Sequence, residues 1–188
     1  MKILAILTGG TIGSVIHDGY IYTDDNAKKL VVNNYLEKNN NDVEFQIVEP
    51  FTVHSEYLSH TEINALVDIV CDSISKDYDG IIVTHGTDSL QFTASALSYA
   101  VGNCNIPVLL VSAQYPMADF RSNGQINFNG AVDFIKNKNG TGVYVAYSND
   151  NENVEFHQGN RVIMFNEADD KVYSLPPVCV NSALGKYQ

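Results

Sequence analysis

Two short polar clusters each follow an apolar run. Ile3-Leu4-Ala5-Ile6-Leu7 leads into Thr8-Gly9-Gly10-Thr11-Ile12-Gly13, and Gly80-Ile81-Ile82-Val83 leads into Thr84-His85-Gly86-Thr87-Asp88-Ser89. A threonine hydroxyl is a weak nucleophile until a neighbouring base or cation activates it. Glycines beside it let backbone N–H groups approach a substrate carbonyl and stabilise developing negative charge. Thr11 and Thr87 are therefore candidate nucleophiles, and hydrolysis is the chemistry they suggest. Asp88 is placed to receive a substrate ammonium or to cap a helix, and Ser55-Glu56 add a hydroxyl and a carboxylate that suit an amino-acid backbone. Spacing alone leaves a plainer option, in which Thr11 only closes a tight turn, Asp88 only caps and Ser55-Glu56 form a solvated loop. His85 reads as a structural hydrogen bonder, and with Asp88 it lacks further ligands at metal-binding spacing, so no metal is expected.

The elements that must position these residues alternate between strand and helix. Residues 2–8, built on the unbroken apolar run Ile3–Leu7, read as a central parallel strand. Residues 13–23, bracketed by Gly13 and Gly19 and carrying Tyr20 and Tyr22, read as a loop or small hairpin suited to a lid. Helices are expected at 24–38 (Asp24 as N-cap; Ala27, Leu30, Val31 and Tyr35 on one face), 61–77 (Thr61 as N-cap), 89–101 and 124–136. Strands are expected at 43–49, 80–84, 107–112 and 142–147, with an antiparallel pair near 153–157 and 161–165. This order predicts one α/β domain over 1–188. It is a doubly wound, mainly parallel sheet in a flavodoxin- or Rossmann-like three-layer sandwich with right-handed crossovers.

The bulk numbers restrict the function. In 188 residues, 22 acidic side chains outweigh 11 basic ones, for a net charge of -11. Such a surface repels phosphate backbones and anionic lipid, so neither nucleic acid nor membrane is an expected partner. Cys71, Cys104 and Cys179 form no paired framework and contain no CxxC, which fits reduced thiols in the cytoplasm. No P-loop lysine and no GxGxxG is present, so nucleotide cofactors are not expected.

Thr8–Gly13 and Thr84–Ser89, in this order and each behind a strand, resemble the two signature segments of the bacterial-type L-asparaginases. Gly19-Tyr20-Ile21 is similar to the family's lid tyrosine segment, Ser55-Glu56 to its substrate-clamping segment, and Val111–Pro116 and Gly124–Val132 to later segments. The resemblance implies a large N-terminal α/β domain, here without the smaller C-terminal domain that follows in the family. It implies hydrolysis of asparagine to aspartate and ammonia without metal or cofactor. Thr11 would be the attacking threonine and Tyr20 its lid partner, with Tyr22 close enough to compete for that role. Thr87 and a lysine would form the second catalytic group. Ungapped extension from Gly124 gives Lys138 for that lysine, with Lys136 as the alternative. Asp88 and Glu56 would hold the substrate amino group, Ser55 its α-carboxylate, and Ala113 would lie beside the scissile amide. Tyr115 stands where the family usually has arginine, and Ser89 where it has threonine. Two further readings stay open: a pocket that binds aspartate or asparagine without turnover, and one chain of an amidotransferase-like assembly. A homodimer or larger homo-oligomer is expected, with apolar surface exposed around Leu175 to Val180.

Overall fold

The computed structural model describes residues 1–39, 42–102, 104–164 and 171–174. The apolar segment at Leu175 to Val180 lies outside the described residues. In chain order the elements are β1 (Lys2–Leu7), β2 (Ser14–His17), β3 (Tyr20–Thr23), α1 (Ala27–Lys38) and β4 (Glu44–Val48). They continue with α2 (His60–Ser73), β5 (Gly80–Thr84), α3 (Leu90–Val101), β6 (Pro107–Val111), α4 (Gly124–Lys136) and β7 (Gly142–Tyr147). Last come β8 (Glu155–Gln158), β9 (Ile163–Met164) and β10 (Val172–Tyr173). Among the described residues, no helix is long and apolar enough to cross a membrane.

Six strands form the central sheet in the order β4-β1-β5-β6-β7-β8. The first five in that order are parallel, and β8 closes the edge antiparallel to β7. The chain leaves β1 for β4 on one side and then crosses to β5 on the other. The winding therefore reverses between β1 and β5, and in open α/β sheets such a reversal opens a crevice at the strand C-termini. Both threonine clusters emerge there, because Leu7 and Thr84 are register partners.

Strand alternation builds a core on each face of the sheet. Ile3, Ala5 and Leu7 pack with α1 (Val31, Val32, Tyr35) and α4 (Phe128, Ala131, Val132). Leu4 and Ile6 pack with α2 (Leu66, Val70) and α3 (Leu90, Ala94, Leu97). The expected three-layer sandwich is what forms.

Local differences from the sequence-based expectations have physical causes. Helix α1 buries Lys28 and Val32, while Leu30 lies at the margin of exposure (36%). Helix α2 starts earlier than Thr61. Ser59 caps it, and Glu62 reaches back to the Ser59 N–H in a reciprocal capping box. Segments 153–157 and 161–165 do not pair with each other. β8 instead satisfies the exposed edge of β7, and β9 pairs with β10. Residues 13–23 form a hairpin whose turn, Asp18-Gly19, has φ of 51° and 82°. Positive φ at both central residues gives a turn twist matching that of the flanking strands.

Candidate functional site

The site grows from three adjacent strand ends. After β1 the chain turns sharply at Gly9 and Gly10, with φ of 100° and 70°. The Gly10 N–H donates to Val53 O (3.2 Å), and the Val53 N–H donates to Thr8 O (3.1 Å). This ties the turn to the segment that follows β4. On the other side, Thr8 Oγ1 donates to Thr84 O (2.6 Å) and its N–H donates to Thr84 Oγ1 (3.2 Å). Gly10 lies so close to the second cluster that a Cβ there would stand 2.3 Å from Gly86 N. A Cβ on Gly86 would in turn stand 2.4 Å from Ser55 Oγ. The glycines are thus what allow the Thr11 turn, the Thr87 turn and Ser55 to meet. Thr11 occupies a single 3-10 turn, Thr11–Gly13, closed by a Ser14 N–H bond to Thr11 O.

Ser55 couples the strand ends chemically as well. Its Oγ donates to Asp88 Oδ2 (2.6 Å) and accepts from the Asp88 N–H (3.2 Å), while Ser89 Oγ donates to Ser55 O (2.9 Å). Ser55 is buried, Thr87 half-buried, and Asp88 and Glu56 exposed. The result is a wet carboxylate over a dry hydroxyl, a suitable lining for a zwitterion. His85 sits beneath, fully buried, and burial pushes its pKa down. Its Nδ1 lies 2.7 Å from Gly86 O, so the neutral ring donates from Nδ1. That makes it a brace for the turn.

Two buried asparagines set the far wall. Asn123 Oδ1 accepts from the Gln114 N–H (2.8 Å) and its Nδ2 donates to Ser148 O (2.9 Å). Asn127 Nδ2 donates to Ser112 O (2.8 Å) and its Oδ1 accepts from the Ser148 N–H (2.7 Å). Together they staple the ends of β6 and β7 to the start of α4 and fix Ala113 between them. Ala113 is fully buried, and its methyl lies beside Gly124. In the loop that follows, the Arg121 guanidinium lies 4.0 Å from the Tyr115 ring centroid and pairs with Asp119.

Tyr20 and Tyr22 project from one face of β3, 69% and 52% exposed, on the hairpin that leaves the Thr11 turn. Both rings are exposed and both lie on the same face of that strand, so Tyr20 and Tyr22 share the expected lid position between them.

The expected lysine does not reach the site. Helix α4 runs opposite to the parallel strands. Its first turn, at Gly124, contacts Ala113 and Ile12 at the strand C-termini. Its last turn, at Ile135, packs on Gly80 at the start of β5. Lys136 pairs with Asp42, whose carbonyl also accepts from the Met1 ammonium, and Lys138 follows with φ of 53°. Both lysines therefore lie at the opposite end of the sheet from Thr11 and Thr87. Ungapped extension from Gly124 runs along the helix and so overshoots the site by the helix's own length.

Lys28, only 3% exposed, and Asn123 escape motif reading, whereas Asn127 lies in the Gly124–Val132 segment that carries the resemblance, with no role read for it. Lys28 has one readable signal, its spacing from Asp25, since i,i+3 pairs face each other on a helix. A cavity of about 270 Å³ between the end of α3 and the start of β7 belongs to the other end of the sheet as well.

The class is thereby defined: a doubly wound α/β domain whose hydroxyl and carboxylate groups converge at its switch point. The chain matches the family "Asparaginase, N-terminal" over residues 2–175, and it belongs to that family. It is 39% identical over 85 residues to L-asparaginase 1 of Escherichia coli (strain K12), a match covering 45% of this chain and 24% of that protein. It is 29% identical over 170 residues to one chain of the glutamyl-tRNA(Gln) amidotransferase of Methanosphaera stadtmanae, covering 85% of this chain and 37% of that one. The solved thermostable L-asparaginase of Thermococcus kodakarensis superposes with a TM-score of 0.79 at 26% identity, covering 95% of this chain and 53% of its own. The chain thus spans about half the length of that solved relative, and less of the curated ones.

Proposed function

We propose that this domain is the threonine-bearing half of an asparaginase-like amidohydrolase, acting on the side-chain amide of L-asparagine. Thr11 Oγ attacks the amide carbon, ammonia leaves, and water hydrolyses the resulting ester to aspartate and regenerates the threonine. Asp88 and Glu56 receive the substrate ammonium, and Ser55 with neighbouring backbone N–H groups receives the α-carboxylate. The Ala113 backbone borders the amide. The hairpin brings Tyr20 over Thr11, shields the site from bulk solvent during the attack, and leaves room for the single water that hydrolyses the ester once ammonia has left. Thr87, at the start of α3, supports the second proton transfer. The domain acts in the cytoplasm as a homodimer or larger homo-oligomer.

The observation that carries this reading is the meeting of the Thr11 turn, Ser55 and Asp88 around the Gly10–Gly86 contact, at the β1/β5 switch point. Ammonia release from L-asparagine, lost in Thr11→Ala, tests it.

A second reading has its own support. Lys136 and Lys138, the expected partners of Thr87, lie at the far end of the sheet. A domain with the clamp but with neither of these lysines at Thr87 binds aspartate or asparagine without turnover, alone or as part of an amidotransferase-like assembly. Stabilisation by L-aspartate without ammonia release identifies that case. Ligand at 100 times Kd then adds about 2.7 kcal/mol.

A further inference from the structure

Lys28 is a buried cation on the site side of the sheet. Its side chain is 3% exposed, and its ammonium has three acceptors: Thr52 Oγ1 at 2.6 Å, Asp25 Oδ1 at 2.9 Å and Glu49 Oε1 at 3.1 Å. An ammonium carries three donors, so the set is complete. Burial lowers its pKa, but the hydrogen bonds to Asp25 and Glu49 outweigh that and the net shift is upward. A long, flexible side chain is ordered this fully only where surrounding groups repay its lost entropy.

The partners matter because of where they lie. Thr52 directly precedes Val53, whose backbone exchanges hydrogen bonds with Thr8 and Gly10. Asp25 follows β3, the strand that carries Tyr20. The aliphatic stem lies against Gly13, the last residue of the Thr11 turn, where a Cβ would stand 2.8 Å from Lys28 Cγ. The Asp24 N–H donates to Gly13 O (3.1 Å), closing the base of the hairpin over the same stem. One side chain therefore touches the hairpin base, the end of the Thr11 turn and the segment leading to Ser55.

We infer that Lys28 is a positioning residue for the threonine site, clamping the base of the Tyr20 hairpin to the β4 exit so that Thr11 and Ser55 are held in one geometry. It reaches no substrate itself. Its effect on catalysis rests on the hydrolase reading, while its mechanical coupling of the two segments does not.

The test pairs hydrogen exchange with kinetics on the full chain. Lys28→Met keeps the stem and removes the charge, and Lys28→Arg keeps a charged donor. In Lys28→Met, amide exchange rises together at residues 10–23 and 50–57, by about tenfold, with β5 and β6 unchanged. In Lys28→Arg it stays near wild type. Exchange that is unchanged in either segment, or raised equally in β5 and β6, overturns the clamp. Should Lys28→Met fail to fold, Glu49→Gln is read in the same way. In the ammonia assay, Lys28→Met lowers kcat by about tenfold or more with little change in KM, and Lys28→Arg recovers most of it. Equal kcat in Lys28→Met and wild type overturns the positioning of Thr11. A wild type that releases no ammonia defeats the hydrolase reading instead, and the exchange result alone then decides the clamp.

Discussion

Ser55 Oγ donates to Asp88 Oδ2 across 2.6 Å, joining the segment after β4 to the residues that open α3. Two groups expected to clamp one ligand are thus already bonded to each other. A ligand ammonium can dock on the free lone pairs of Asp88, because a carboxylate accepts several hydrogen bonds, while the single Ser55 hydroxyl proton turns from Oδ2 to the ligand α-carboxylate. Ser55→Ala removes the bond and leaves the Asp88 N–H without its acceptor. The expected loss is about 1 kcal/mol of stability, with aspartate binding weakened by about tenfold. Urea unfolding and calorimetric titration check the two parts separately.

Gly10→Ala is far more damaging. A methyl there meets the Gly86 backbone, and the residue holds a φ of 70°. Neither strain has a flexible side chain to relieve it, so the cost exceeds about 3 kcal/mol or the turn rebuilds. Thermal unfolding measures the loss. A variant as stable as wild type, with unchanged aspartate binding, would contradict the close approach of the two turns.

Asn127→Leu tests the far wall. It leaves the Ser112 carbonyl and the Ser148 N–H buried without the partners they now have. The expected cost is about 3 kcal/mol in urea unfolding. Asn127→Ser, small and still polar, costs less where water enters the space.

The lysines supply a negative control. Lys136 and Lys138 lie at the strand N-termini, so Lys136→Ala and Lys138→Ala leave any ammonia release within about twofold of wild type. A loss of activity in Lys138→Ala, with normal folding, would put that residue back at the site.

Acid stability follows from His157. The ring is 1% exposed on β8, and burial pushes its pKa down to about 4, below the ordinary histidine value of 6.5. The unfolded chain therefore binds the extra proton first. The stability is fully present above pH 6.5 and is lost as pH falls toward about 4. The change is on the order of 3 kcal/mol. His157→Phe flattens the slope between these pH values, read as urea midpoints at pH 7 and pH 5.

Much of the fold was readable because the inner strands are buried on both faces. Continuous runs such as Ile3–Leu7 and Pro107–Val111 have no other simple home. The meeting of the two threonine turns was readable from their shared place behind apolar strands, and Gly10 and Gly86 stand where only glycine lets them approach. Other features depend on direction and distance, which periodicity does not carry. Lys138 lies just past the far end of the helix that Asn123 precedes, and a helix of that length ends at the other side of the molecule. Lys28 sits in a polar stretch, Asp24-Asp25-Asn26-Ala27-Lys28-Lys29, that reads as solvated surface until Thr52 and Glu49 are brought to it from β4's far end. The place of β8 was hidden because an edge strand's partner is set by which edge lies open.

The most direct measurement is coupled detection of ammonia from L-asparagine and L-glutamine, with wild type and Thr11→Ala side by side in protein shown to be folded. A threonine mechanism predicts release from L-asparagine by wild type, a smaller rate from L-glutamine, and none above background from Thr11→Ala. Equal release by the two proteins would contradict that mechanism. No release by either, with L-aspartate still stabilising the fold, would make this domain a binding module.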